Sequence, residues 1–386
     1  MNSGGGADTR AEPRRRPGRK RGPRGPGPWI VLAAVAIVPA LVLAAISSWA
    51  SDQVSDNAAA PPVDSAVERR SPGPALSTSL LTLRRMPTII SRDLNSDTFA
   101  GEVSPFLGSL NERSCGAVSV DGVAIGERNA ELAVIPASTQ KIPVAATALE
   151  LLGSDFRYTT TAAADSAPVD GAIEGDLYLI GGGDPLLSSD WYPTSNLERN
   201  PVTSPTSFDA LADQVVAAGV TTVRGAVVGD GSRYDDEYSA PGWGDGVAGL
   251  EAGPYDALMA NDSRVLGDPL RGGDPNEAAA REFTLLLESR GVSVGGVARN
   301  GNAPPTSVEV ASIQSAPMSD VVAEMLGNSD NNTAEMMVKE IGYTVSSSGT
   351  REAGLALVRQ QLVDWDVDVT SIVLVDGSGL SLDNRC

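Results

Sequence analysis

The chain has 386 residues and no histidine, which excludes the Ser-His-Asp triad, the Cys-His dyad and every histidine-ligated zinc site. Its two cysteines, Cys115 and Cys386, are too few for a disulfide framework or a cysteine-rich metal centre. Residues 1–28 carry eight basic and two acidic side chains, a net of +6, so the remainder holds −26 of the overall −20 and would repel nucleic-acid phosphates.

Residues 29–50 form an apolar run between Trp29 and Trp49 that no charge interrupts. At about 1.5 Å per helical residue it spans a bilayer core of roughly 30 Å. The basic groups lie on its N-terminal side only, so residues 1–28 are expected in the cytoplasm, with a single-pass anchor in the cell membrane and the rest of the chain outside. The alternative is a signal peptide cleaved near Ser48-Trp49-Ala50, which leaves a secreted protein. Residues 51–73, rich in Ala, Pro, Ser and Asp, read as a linker.

From residue 74 the pattern is globular. Leu80 to Leu83 reads as a strand ended by Pro87, and Cys115 to Ile125 as a strand–turn–strand around Asp121-Gly122. Ser138 is placed to cap an apolar helix that Gly153 stops. Asp176 to Ile180 is a strand running into Gly181-Gly182-Gly183-Asp184-Pro185. Ser207 caps a helix to Ala218, Val223 to Val228 is a strand, and Asp274-Pro275 opens a helix to Arg290. Ser319 caps a helix to Leu326, Asn331 or Asn332 caps the next to Ile341, and Thr350 opens a third to about Val363. Ser371 to Val375 is a strand before Asp376-Gly377-Ser378-Gly379. Cys115 is expected as a small buried residue, with a Cys115–Cys386 bridge the lesser alternative.

Ser138 and Lys141 form Ser-x-x-Lys, and their spacing sets both side chains on one helix face. A serine hydroxyl needs a base, and without histidine a buried, neutral lysine is the available one. Lys141 is the only lysine between residues 21 and 338, and the helix it opens is too apolar for a surface helix. Ser329-Asp330-Asn331, in a loop between helices, offers a second hydroxyl to relay protons and an amide to hold a substrate peptide; a plain helix cap is the alternative. Asp184 is expected in a turn, with contact to a cationic substrate side chain the alternative.

Together with Asp376-Gly377-Ser378-Gly379-Leu380-Ser381, these motifs resemble the D-alanyl-D-alanine carboxypeptidase/endopeptidase family, the low-molecular-mass class C penicillin-binding proteins. Gly175 to Leu179, Gly181 to Pro185 and Gly229-Asp230 support the resemblance. It implies an α/β (α+β) fold of the serine β-lactamase/transpeptidase type. A large mixed α/β domain is then expected between the Ser-x-x-Lys and Ser-x-Asn motifs, which stand 191 positions apart. The implied layout is residues 74–160 and 311–386 for the transpeptidase-like domain and 161–310 for the insertion. The implied activity is cleavage of peptidoglycan stem peptides through an acyl-enzyme on Ser138, with Lys141 as base, Ser329 in proton relay and Asn331 on the substrate. Penicillins and other β-lactams are the implied ligands, and neither metal nor organic cofactor is expected. A catalytically inactive wall-binding protein of the same fold, or a β-lactamase, are the alternatives. The family's third motif, Lys-Thr-Gly, does not occur in the sequence, and the chain is expected to be a C-terminally truncated fragment.

Overall fold

The first described helix runs where the sequence reading stops short. Residues 86–197, 201–244, 246–247 and 249–386 are described by a computed structural model, in which Met86–Ser109 is helix α1. Pro87 sits in its first turn, where a missing N–H costs nothing, and so opens the helix. The predicted membrane span at 29–50 and the predicted strand at Leu80–Leu83 lie outside the described residues. Among the described residues no helix is long and apolar enough to cross a membrane.

Strands β1 (Gly116–Val120) and β2 (Val123–Arg128) pair antiparallel around Asp121-Gly122, both in the left-handed conformation the turn requires. Helix α1 packs on this hairpin. A Cβ on Gly126 would lie 2.8 Å from Leu107, so the glycine is what admits the helix so closely. Cys115 is exposed and both thiols are free, contrary to the expected burial, because Cys115 stands one residue before β1, outside the paired strands.

A tight 3-10 turn, Ala137–Gln140, leads into α2 (Lys141–Leu151). Five strands then build the main sheet: β3 (Thr159–Ala164), β5 (Leu177–Ile180), β9 (Val227–Asp230), β11 (Arg299–Asn300) and β12 (Val308–Gln314), in the order β11-β9-β5-β3-β12. β3 is antiparallel to both neighbours, while β5, β9 and β11 run parallel. A smaller parallel sheet holds β4 (Ala172–Ile173), β8 (Thr222–Val223) and β10 (Ser293–Val294). Two further short strands, β6 (Leu187–Ser188) and β7 (Thr206–Ser207), pair with each other.

The predicted strand Val223–Val228 is two strands in two sheets. Gly225 lies against the backbone of Gly175, where a Cβ would stand 2.7 Å from a carbonyl, and this crossing bends the chain from β8 into β9. The period of two divides the main sheet's faces. Ala162, Ala164, Leu177, Leu179 and Val227 face a core that includes Phe208 and Phe283, while Tyr178, Ala226 and Val228 cluster on the other side.

Two helices cover the first face. α3 (Phe208–Ala217) starts at Ser207, whose hydroxyl accepts from the Ala210 N–H, and α4 (Pro275–Ser289) starts at Asp274, whose carboxylate accepts from Asn276 and Glu277. Both are the caps read from sequence.

Three more helices enclose a second core. α5 (Met318–Asn328) begins at Pro317 with no side-chain cap, so Ser319 lies inside it instead of capping it. α6 (Asn331–Ser346) is capped by Asp330, not by Asn331 or Asn332, and α7 (Arg351–Asp364) by Thr350 as predicted. α2 packs against all three. α6 and α7 meet at backbone level, since a Cβ on Gly354 would fall 1.9 Å from the Val338 carbonyl oxygen. The predicted strand Ser371–Val375 reduces to one bridge, Val373 with Arg385.

Candidate active site

Ser138 does not cap α2. It occupies the 3-10 turn before it, where Ala137 takes a positive φ and Gln140 stands at the cap position without a side-chain bond. This leaves the Ser138 hydroxyl exposed on a fixed turn, one helical step from Lys141. Lys141 is 1% exposed, and its Nζ lies 3.3 Å from Ser138 Oγ, 2.7 Å from Asn331 Oδ1 and 2.8 Å from the Ser378 carbonyl oxygen. Ser329 Oγ lies 2.9 Å from Ser138 Oγ. All four predicted site residues therefore meet at one place, from two separate parts of the chain, and a third part supplies the Ser378 carbonyl.

The two-residue α5–α6 link explains the second wall. Ser329 ends α5 in the left-handed conformation, and Asp330 returns to extended backbone and caps α6 by accepting from Thr333 at 2.6 Å. Asn331 then falls in the first turn of α6, facing Lys141. Its Nδ2 donates to the Glu251 carbonyl at 2.8 Å, so its amide is oriented from both ends.

The lysine's partners have a chemical consequence. A neutral amine has two N–H donors and one lone pair. Asn331 and Ser378 take the donors at the two short distances, which directs the lone pair at Ser138. Burial lowers the Lys141 pKa, opposed by the negative charges of Asp330, Glu335 and Asp376.

The cleft beside these groups has a volume of about 420 Å³, and its lining includes Ser138, Ser329, Asn331, Asp262, Arg271 and Leu380. Asp262 carries no motif and was missed from sequence. It sits in a run of three left-handed residues, Asn261 to Ser263, held by their own side chains. Asn261 Oδ1 accepts from the Ser189 N–H at 2.8 Å, Asp262 accepts from Tyr192 and Asn332, and Ser263 donates to the Pro254 carbonyl. The available signal was composition, since Asn and Asp tolerate this backbone best. Asp184 is buried and accepts from the Leu186 N–H, which is the turn role and not a surface for a cationic side chain.

Four carboxyls around these cores are pushed up by burial: Asp184, Asp256 and Asp330 to about 6, Glu335 to about 7. The unfolded chain releases these protons near pH 4, whereas the folded one keeps them to pH 6–7. The folded state then binds more protons in that interval, so its stability falls as pH rises through it. The unfolding temperature is expected to be higher at pH 5 than at pH 7.5, by an amount equivalent to a few kcal/mol. Scanning calorimetry across that range checks this; a temperature that rises with pH contradicts it.

A serine, a buried lysine and a second serine–asparagine pair thus meet on one wall of the cleft. The sequence pattern of the D-Ala-D-Ala carboxypeptidase 3 (S13) family matches residues 111–267 and 258–386, and the chain belongs to that family.

Among its relatives is the D-alanyl-D-alanine carboxypeptidase of Actinomadura sp. (strain R39), 32% identical over 346 residues, covering 70% of this chain and 61% of that protein. Another is carboxypeptidase DacB of Mycolicibacterium smegmatis, 30% identical over 300 residues, covering 78% of this chain and 62% of that protein. The chain thus spans about three-fifths of the length of each. The fold is similar to the crystal structure of penicillin binding protein 4 from Haemophilus influenzae, with a TM-score of 0.61 at 19% identity, over 73% of this chain and 75% of that one.

Proposed function

We propose that the chain is a serine-type D-Ala-D-Ala carboxypeptidase or endopeptidase acting on peptidoglycan stem peptides. The observation that carries this reading is the Ser138 hydroxyl held between a buried lysine amine and the Ser329 hydroxyl. Ser138 Oγ attacks the carbonyl carbon of the peptide bond between the two D-alanines while its proton passes to the Lys141 lone pair. The proton moves on through Ser329 to the leaving amine as the C–N bond breaks, and D-alanine departs. Water, deprotonated by the same amine, cleaves the ester and restores Ser138. Asn331 orients Lys141, and its second amide hydrogen is the one left to meet a substrate peptide.

The finer architecture follows the same reading. Residues 74–160 and 311–386 form the transpeptidase-like part, residues 161–310 the insertion, and residues 29–50 an anchor that holds the catalytic part outside the cell membrane. The one-sided basic groups and the uninterrupted apolar run support the anchor.

Incubation of the full chain with a fluorescent penicillin is expected to give one stable covalent adduct on the peptide bearing Ser138, absent in Ser138→Ala. No adduct, or an adduct elsewhere, overturns the reading. The alternative reading is a wall-binding protein of the same fold without catalysis. That reading expects no adduct and retained sedimentation with purified peptidoglycan.

A further inference from the structure

Glu335 lies on α6, one turn beyond Asn331, and is 1% exposed. It touches neither Ser138 nor the cleft. Its Oε1 accepts from the backbone N–H of Ser378 at 2.8 Å and from that of Gly377 at 3.1 Å, and its Oε2 lies 3.2 Å from the Gly377 nitrogen. These donors belong to the turn Asp376-Gly377-Ser378-Gly379, whose Ser378 carbonyl accepts from Lys141. The turn is held from inside as well. Asp376 accepts from the Gly379 and Ser381 N–H groups, from Asn384 Nδ2 and from Trp243 Nε1. Those bonds shape the turn, and Glu335 hydrogen-bonds its leading edge to the helix that carries Asn331, where Gly377 also lies against Ala334 and Val338.

We propose that Glu335 is a positioning residue for the Ser138–Lys141 pair. It clamps the 376–379 turn to α6, so that the Ser378 carbonyl and Asn331 Oδ1 approach Lys141 as one rigid unit. Its carboxylate also sets the charge state of the lysine through space. This rests on the reading of Ser138 as nucleophile and Lys141 as base.

The physical argument has two parts. A carboxylate that accepts from two successive N–H groups fixes the peptide plane between them, and with it the direction of the following carbonyl. A negative charge in a buried site acts on a nearby amine with little screening. The charged groups that face Lys141 are Asp330, Glu335 and Asp376, each favouring the protonated amine. Glu335 itself feels burial first and then Asp376, and stays protonated to about pH 7. Tyr255, from the segment packed on the other side, feels the Glu335 charge as well. As the pH passes 7 the Glu335 charge appears, and it holds the proton on Lys141.

The test is the pH profile of acylation by a penicillin, compared between the full-length wild type and Glu335→Gln. Glutamine retains an oxygen for the turn and loses the charge. The acid limb of the Glu335→Gln profile is expected to move to lower pH, and the plateau rate to stay within about tenfold of wild type. Glu335→Ala, which frees the turn, is expected to lose about 10²-fold in rate, as for a misplacement near 1 Å, with Glu335→Asp partly restoring it. An unmoved or alkaline-shifted limb in Glu335→Gln overturns the proposal.

A direct measurement does not depend on the variants folding. The chain has three lysines, Lys20, Lys141 and Lys339, so ¹³Cε-lysine labelling gives three signals. The Lys141 signal of the wild type is expected to show an inflection near pH 7 in addition to its own titration. A single inflection overturns the proposal as surely as an unmoved acid limb. A wild type that is not acylated at Ser138 refutes the assignment of the nucleophile instead, and the Lys141 titration still tests the link to Glu335.

Discussion

Replacing Lys141 with alanine is expected to lower the rate of acylation at Ser138 by about 10²–10⁴-fold, the usual worth of a positioned general base. Ser138 Oγ has two polar neighbours, Lys141 Nζ at 3.3 Å and Ser329 Oγ at 2.9 Å, and a hydroxyl cannot substitute for an amine as base near neutral pH. No histidine exists anywhere in the chain to take over. The fold is expected to survive. Lys141 is buried, but its partners are the Asn331 side chain and one carbonyl, and leaving those unmet costs about 1–3 kcal/mol. Stopped-flow acylation with a chromogenic penicillin, together with circular dichroism of the variant, checks both statements. A folded Lys141→Ala protein acylated at the wild-type rate would remove Lys141 from the mechanism.

Gly379→Ala is expected to impair stability and chemistry together. Gly379 has a φ of +85°, and a Cβ there would stand 1.9 Å from the carbonyl oxygen of Ala137 and 3.0 Å from Gln140 Cβ. The left-handed backbone costs an alanine about 1–2 kcal/mol, and the overlap adds about 1–3 kcal/mol. The displaced partners are the turn carrying the Ser378 carbonyl and the turn carrying Ser138. A shift of about 1 Å between them is expected to slow acylation about 10²-fold. Gly122→Ala is the matched control, since Gly122 has a φ of +80° with nothing within 4 Å of the added carbon. It is expected to carry the left-handed cost alone, with acylation unchanged. Thermal melts and acylation rates of the two variants decide the matter, and equal acylation in both contradicts the role given to the 376–379 turn.

Much of the local structure was legible because its causes are local. Ser207, Asp274 and Thr350 each cap a helix within a few residues of themselves, and Asp121-Gly122 makes its hairpin turn from its own backbone preference. The misreadings also have local and non-local causes that separate cleanly. Ser138 was read as a cap because a serine before an apolar helix is usually one. Here its hydroxyl is taken by Lys141 and Ser329 instead. The break between β8 and β9 depends on Gly225 meeting Gly175, a contact across fifty positions that no window of sequence contains.

The amino-acid sequence by itself determined which chemistry is open to this protein: with no histidine and one lysine beside a serine at helical spacing, a serine–lysine pair was the available nucleophile and base. It also placed Ser329 and Asn331 as partners through motif order alone. The tertiary structure decided what surrounds that lysine. The Ser378 carbonyl lies 237 positions from Lys141, and the turn that carries it is fastened by Glu335. A backbone carbonyl has no residue identity, so nothing in the sequence could mark it. Only the folding of α6 against α2 and the 376–379 turn brings it to the amine.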